Sequence, residues 1–377
     1  LNIAEIAKRA GVSRSTVSYA LSGKRNVSEQ TLARVQQVIE ELNYRPNAAA
    51  RALKEGRTRT IGLVIPPAGR RLTYMQLDFV ASVLDAAARA DLDVLLSPSG
   101  DMHERSFQRL IDGRRVDGVI LMEIRLDDPR VTQLQKADMP FVTIGRTARP
   151  EGTWWIDVDY ENLLNRCVHH LADLGHHDIA LINRSPEMLA AGYGPGLRAR
   201  QGFRDAVVQC GLTGWEYPCG DDTPGGDACV QLILQEHPEV TAAATANEAA
   251  LPGVQRALHR AGLAVPADFS VIGVAVQHWA EEFHPPLSSA DIPADDMGAH
   301  AVDLLTQRIA NPSALPKHLL LCPPISLRDS VTRVPARASK GPESWRIDSM
   351  GSPADAVKVS GDPPQACVSF THSRIPR

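Results

Sequence analysis

The stretch RSTVSY, Arg14 to Tyr19, gathers a guanidinium and several hydroxyls within six residues. With Val17, Ala20 and Leu21 turned inward on a helix, Arg14, Ser15, Thr16 and Tyr19 lie on or near its outer face. An arginine at an exposed helix start can donate two parallel hydrogen bonds to guanine O6 and N7 in a major groove. Ser13, Thr16, Arg25 and Asn26 suit phosphate contacts, which fix register rather than sequence. Other chemistries find little support. The chain has no Gly-x-x-x-x-Gly-Lys-Ser/Thr phosphate loop and no Gly-x-Ser-x-Gly elbow, and GYGPG (192–196) lacks the strand-to-helix spacing of a dinucleotide fingerprint. Six scattered cysteines form no Cys-x-x-Cys, and the pairs His169-His170 and His176-His177 have no carboxylate or cysteine at ligand spacing. Neither a metal nor a cofactor is expected, and the cysteines read as reduced thiols.

A short helical unit must present those residues. In IAEIAKRA, Ile3, Ile6, Ala7 and Ala10 recur at helical spacing; Gly11 suits a left-handed turn, and Ser13 can cap a second helix. A third helix after Ser28 carries the apolar stripe Leu32, Val35, Val38, Ile39 and Leu42. Two helices crossing through a very short turn and closed by a third make a helix-turn-helix. Residues 1–59 carry eleven Lys or Arg against five Glu, a net +6, which leaves −10 for the remainder of a chain whose total is −4. A basic segment on an acidic chain points to a polyanionic partner for that segment.

Downstream, NAAARALK (Asn47–Lys54) opens with a cap residue and runs through four alanines. A helix that short is marginal alone, because nucleation fixes several dihedrals before enough hydrogen bonds form.

From residue 60 the pattern becomes alternating β and α. TIGLVIP, LDVLLSP, VDGVILME and PFVTIG read as buried strands with helices near 78–90, 104–113 and 129–137. HDIALIN, TAAATAN and FSVIGVAV form a second series, with helices near 161–174, 197–210, 226–236 and 248–261. Such alternation gives doubly wound parallel sheets, here two lobes with a cleft between them. Trp154, Trp155 and Tyr193 are candidates for stacking on a ligand, with core aromatics as the competing reading. After Ser330 the chain is rich in Pro, Ser, Gly and charge, which predicts an extension without stable fold over 331–377. No apolar run reaches the length of a membrane span and the N-terminus shows no secretory pattern, so a cytoplasmic protein is expected.

IAEIAKRAGVSRSTVSYALSG, VSEQTLARVQQVIEELNYRPNAAARALKEGRTRTIGLVIP, LADLGHHDIALI and VPADFSVIG together resemble the LacI/GalR family of bacterial transcription regulators, from the first residue to about Arg328. The resemblance implies a helix-turn-helix over 1–46, a hinge helix and linker over 47–59, and a two-lobed α/β periplasmic-binding-protein-like core over 60–330. Lobe 1 would comprise about 60–160 and 290–318, and lobe 2 about 161–289 and 319–330, with LLLCPPISLRDS as the second lobe's last strand. Ser15 and Tyr19 then occupy further base-reading positions beside Arg14. In the minor groove of operator DNA, paired hinge segments would place Leu53 as a wedge, with Asn47 capping and Ala50 and Lys54 alongside. A homodimer, or a higher assembly, follows, controlled by a small-molecule effector, by analogy a sugar or related metabolite. Asp159 and Asn247 stand at effector positions of the family. Its usual Arg-x-x-Gly-Phe is altered: Arg198 and Arg200 flank Ala199, which takes the arginine's place, and Ala275 stands where an Asp is common. Trp155 and Tyr193 complete the candidate effector contacts. A solute-binding protein without regulatory DNA binding, or an enzyme on a doubly wound fold, are the competing classes.

Overall fold

The computed structural model describes residues 3–22, 27–42, 52, 56–65, 72–98 and 104–334. Two compact units, Leu1–Arg59 and Thr60–Arg377, are separable.

The first unit is the helical one. Helix α1 (Ile3–Ala10) buries Ile6, Ala7 and Ala10, helix α2 (Arg14–Ser22) buries Val17, and helix α3 (Glu29–Glu41) buries Val35 and Val38, with Ile3, Ala20, Ile39 and Leu42 packed around them. Gly11 takes φ +66°, a conformation that costs glycine nothing and lets α1 turn directly into α2. Ser13 caps α2 by accepting from the Thr16 amide (3.0 Å), and Ser28 caps α3 by accepting from the Thr31 amide (3.4 Å).

The second unit holds two six-stranded sheets. In the first, strands β1 (Thr60–Ile65), β2 (Asp93–Pro98), β3 (Gly118–Leu121), β4 (Phe141–Ile144), β5 (Trp154–Val158) and β11 (His318–Leu321) run in the order β2-β1-β3-β4-β5-β11, all parallel. The second orders β6 (Asp178–Asn183), β7 (Thr213–Pro218), β8 (Ala242–Thr245), β9 (Ser270–Ala275), β10 (Ser288–Asp291) and β12 (Ile325–Ser326) as β7-β6-β8-β9-β10-β12, with only β12 antiparallel. Strands β3, β4, β8 and β9 are buried throughout, as expected where helices cover both faces. Those helices include α4 (Tyr74–Arg89), α5 (Glu104–Asp112) and α6 (Pro129–Lys136) in lobe 1, and α7 (Tyr160–Asp173), α8 (Pro186–Ala190), α9 (Gly194–Cys210), α10 (Thr223–Glu236), α11 (Leu251–Arg260) and α12 (Gln277–Glu282) in lobe 2. Helix α13 (Ala294–Ala310) packs back on α4 and the first sheet. The chain therefore passes between lobes three times: after β5, after β10 and after β11.

Two expectations are corrected. LLLCPPISLRDS was expected wholly in lobe 2, yet His318–Leu321 pairs with Trp155–Val158 in the first sheet, and only Ile325–Ser326 joins the second. Pro323 and Pro324 lie between them and cannot donate to a ladder, so one apolar run becomes two strands in two sheets. WWIDV, which the sequence reading did not single out as a strand, is fully buried as β5. Residues 331–334, expected to open the structureless extension, are held to the second lobe: the Thr332 amide donates to Ser270 Oγ (3.1 Å) and the Val334 amide to the Leu174 carbonyl (3.0 Å). Residues 335–377 lie outside the described residues.

Candidate effector cleft and DNA-reading helix

On the helical unit, Arg14 and Ser15 are exposed at the start of α2, while Thr16 and Tyr19 are half-buried beside the core-forming Val17. Ser13 Oγ and Thr16 Oγ1 lie 2.9 Å apart and lock the first turn, so Arg14 projects from a capped helix end. Arg25, Asn26, Asn47, Ala50, Leu53 and Lys54 fall outside the described residues.

In each lobe the strand order reverses once, between β1 and β3 and between β6 and β8. Ligands of open α/β sheets bind outside the carboxyl ends of strands at such reversals. The segments after β3, β6, β7 and β8 bring Glu123, Arg184, Asp221, Asn247 and Glu248 there, joined by Thr73, Met75 and Gln76 at the start of α4.

Asn247 is completely buried, and its Nδ2 donates to the carbonyls of Asn183 (3.2 Å), Cys219 (3.0 Å) and Gly220 (3.4 Å). The amide therefore ties together the ends of β6, β7 and β8, and its orientation leaves Oδ1 without a hydrogen-bond partner. Arg184, 7% exposed, meets Asp221 at 2.8 Å (Nε to Oδ1), in a geometry that gives neither atom an aligned hydrogen bond, and stacks its guanidinium 5.4 Å from the Tyr193 ring. Burial opposes that positive charge. The Tyr193 oxygen and the carboxylates of Asp221, Glu123 and Glu248 outweigh it and hold the guanidinium pKa above its ordinary value. Glu248, also 7% exposed, accepts the Met75 amide across the cleft on Oε1 (2.8 Å), while Oε2 has no partner. Desolvation pushes its carboxyl up to about 7, despite the Met75 amide and Arg184 pulling the other way. Glu123 accepts from Gln76 Nε2, and its backbone carbonyl is held by Arg130 Nη2 (2.9 Å), itself paired with buried Asp128.

The lobes meet over this cluster. The Leu126 amide donates to the Gly192 carbonyl (2.7 Å) and the Gly194 amide to the Ile124 carbonyl (3.0 Å), so GYGPG is the seam of the lobes and α9 begins at Gly194, three residues earlier than expected. Tyr74 stacks on Trp279 (3.3 Å between centroids), whose indole N–H is buried and unpartnered, and His278 lies 3.7 Å from Asp78.

The other expected effector residues divide. Tyr193 lines the cleft beside Arg184. Arg198 reaches from α9 across to the carbonyls of Arg146 (3.0 Å) and Thr147 (3.2 Å) and sits 3.7 Å from buried Asp157, a lobe-to-lobe tie adjoining the site. Asp159 caps α7 through the Asn162 amide (3.3 Å), on the Asp157 side. Two are turned elsewhere. Arg200 is engaged with Glu216 (2.7 Å) on the far face of α9. Trp155 lies near the amino end of β5, 2% exposed and stacked on His318 (4.9 Å), away from the strand ends where ligands bind. Sequence reasoning missed Arg184, Asp221, Glu248 and Glu123; their shared signal is a charged side chain within three residues after the carboxyl end of a strand. Of the tempting histidines, His176 is bonded to Thr241 Oγ1 (2.8 Å) and Ser270 Oγ (3.1 Å) as a buried strut. Among the described residues no group of three or more His, Cys, Asp or Glu could hold a metal ion, and no helix is long and apolar enough to cross a membrane.

A two-lobed ligand-binding unit with an unsatisfied polar cleft, carried on one chain with a basic helix-turn-helix, defines a ligand-responsive DNA-binding regulator. Residues 2–47 match the model of the bacterial regulatory proteins of the lacI family, and residues 168–331 match a periplasmic binding protein-like domain. The HTH-type transcriptional regulator CelR of Thermobifida fusca is 32% identical over 338 residues, covering 86% of this chain and 96% of that protein. The ribose operon repressor of Escherichia coli K12 is 31% identical, covering 86% and 98%. The chain belongs to the lacI family and is a DNA-binding transcription regulator. Among solved structures, a CelR–cellobiose complex aligns with TM-score 0.65 at 29% identity, covering 88% of this chain and 99% of that one. The lac repressor dimer bound to operator and an anti-inducer shares the fold, with TM-score 0.78 at 24% identity and the same coverages.

Proposed function

We propose that this regulator is a repressor that binds a pseudo-palindromic operator as a homodimer and changes its affinity when a carbohydrate-class effector occupies the cleft between lobes. The observation that carries the effector reading is the group of buried polar atoms without aligned partners after strands β6, β7 and β8 and on α12 of the second lobe: Arg184 Nε, Asp221 Oδ1, Asn247 Oδ1, Glu248 Oε2 and Trp279 Nε1. Buried polar groups are normally satisfied, so such a concentration calls for a polar ligand or water. Hydroxyl-rich molecules supply donors and acceptors together. The CelR structure holds cellobiose, and another relative is a ribose repressor, which favours a sugar.

The reading of DNA is assigned to Arg14, Ser15 and Tyr19, with Ser13, Thr16, Arg25 and Asn26 on phosphates and the segment containing Asn47, Ala50, Leu53 and Lys54 in the minor groove. For the dimer, Tyr74, Leu77 and Leu84 make one apolar strip along α4, and Leu96 lies on neighbouring edge strand β2; all four are exposed by 42–48%. A second copy of this chain is the occupant we assign to that strip. The effector reading is tested by selecting a bound genomic DNA fragment and titrating mono- and disaccharides against the complex. Asn247→Ala should leave DNA affinity intact and abolish the sugar response. Equal loss of both would count against a cleft role for Asn247, and no response to any sugar in the unsubstituted protein would refute the carbohydrate assignment.

A further inference from the structure

Tyr160 opens α7 just after the chain leaves β5, and its ring packs in the core. The residue is only 9% exposed, and its hydroxyl donates to the Met75 sulfur at 4.0 Å, a weak acceptor. Met75 stands on α4 of lobe 1, and its backbone amide is the donor that reaches Glu248 Oε1 (2.8 Å). One lobe-1 residue is thus met twice from lobe 2, by Tyr160 at its side chain and by Glu248 at its backbone, which puts the phenol beside the buried polar atoms of the cleft. Tyr193, Asp157, Arg184 and Glu248 are all near enough to act on that hydroxyl. Burial, reinforced by Tyr193 and Asp157, keeps its pKa well above the ordinary tyrosine range, so it stays a donor. Packing alone would ask only for a phenylalanine. A buried tyrosine hydroxyl normally meets an oxygen or nitrogen, and among the described residues this one meets only sulfur.

From this placement we infer that Tyr160 is a further effector contact: its hydroxyl donates a hydrogen bond to one oxygen of the carbohydrate in place of the Met75 thioether, and so helps select which sugars the cleft accepts. The inference rests on the cleft being the carbohydrate site proposed above. The thioether can give way, because methionine is unbranched and adaptable and Met75 is only partly buried. A sugar oxygen is the better acceptor, so its entry strengthens a bond that the ligand-free protein makes poorly. A sugar without an oxygen at that point returns the phenol to sulfur, and a buried donor aimed at a ligand oxygen discriminates against analogues that lack it.

The test is calorimetric titration of the full chain with a panel of neutral mono- and disaccharides, D-ribose, D-glucose and cellobiose among them, followed by the monodeoxy analogues of the tightest binder. Tyr160→Phe should weaken that sugar by about tenfold, equivalent to about 1.4 kcal/mol. One monodeoxy analogue should lose about the same factor on the unsubstituted chain and nothing further on Tyr160→Phe. Met75→Leu removes the present partner and leaves the phenol, so it should bind the sugar at least as tightly as the unsubstituted chain. Equal affinity in Tyr160→Phe overturns the inference while the carbohydrate site stands. An equal loss in Tyr160→Phe and Met75→Leu also overturns it, since the phenol would then serve only to hold Met75. If no sugar binds at millimolar concentration, the carbohydrate site and the inference fall together. Met75→Leu keeps the question decidable even should Tyr160→Phe fold poorly.

Discussion

Glu248 makes the ligand-free protein less stable as pH rises, and replacing it should expose the effect. Its carboxyl is raised by burial from 4.5 to about 7 in the folded chain. Folding therefore favours the protonated form. That contribution is fully present below the unfolded pKa near 4.5 and is lost as pH climbs through 7. A shift of this size corresponds to about 3 kcal/mol in total, of which about 2.5 kcal/mol falls between pH 5 and pH 8. Gln in this position can still accept the Met75 amide but cannot ionise, so its own packing cost enters equally at both pH values. The stability of Glu248→Gln relative to the unsubstituted chain should thus improve by about 2.5 kcal/mol from pH 5 to pH 8, or roughly 5–10 °C in Tm for a unit of this size. Urea unfolding of both proteins at both pH values, without ligand, measures it. Background titration of other groups cancels in the difference, except for those coupled to Glu248, chiefly Arg184 and Asp78. A relative stability that is the same at pH 5 and pH 8 would refute the claim that burial raises this carboxyl's pKa in the folded chain.

Arg14→Ala should cost about 1–3 kcal/mol of operator binding and relax preference at one base pair per half-site, read by anisotropy over single-base variants; a uniform loss would make Arg14 a phosphate contact. Leu84→Glu places a charge in the exposed strip on α4, and sedimentation velocity should then show monomers where the unsubstituted chain shows dimers; an unchanged profile would move the interface elsewhere.

Much of the architecture was legible because local and global signals agree. Gly11, Ser13 and Ser28 announce the helical turns by chemistry that acts within four residues, and the structure uses each of them as such. Runs such as GVIL and SVIGVA are apolar enough to be strands buried on both faces. Where the reading slipped, the deciding partner is distant in sequence. WWIDV becomes strand β5 because β4 and β11 flank it, the latter contributed from some 160 residues away. TGWEYP looks irregular because β7 is an edge strand whose outer positions face solvent. The cleft followed the same division. Asn247 and Tyr193 stand out in the sequence and lie at the cleft, while Glu248 next door does not stand out, since nothing in ANEAA says that its carboxylate is buried against the amide of Met75 from the other lobe.

The two departures from the family pattern acquire a physical reading from the structure. Ala199, in the expected arginine's place, is fully buried on the face of α9 that also carries Gly202, Phe203 and Ala206 and packs on α7. That contact is so close that a Cβ at Gly202 would lie 1.9 Å from the Glu161 carbonyl oxygen, so a long cationic side chain one turn earlier would have to leave a tight helix seam. Ala275, in the expected aspartate's place, is likewise fully buried at the end of β9. The chain nevertheless keeps a basic and an acidic group in contact at the strand ends of the same lobe, supplied by Arg184 after β6 and Asp221 after β7. Moving the pair from a helix and β9 to the β6 and β7 turns shifts it toward the strand-order reversal, beside Asn247 and Glu248. Arg184 and Asp221 thereby stand beside the buried acceptors Asn247 Oδ1 and Glu248 Oε2, so the polar row on which the proposed effector site rests lies at the strand-order reversal.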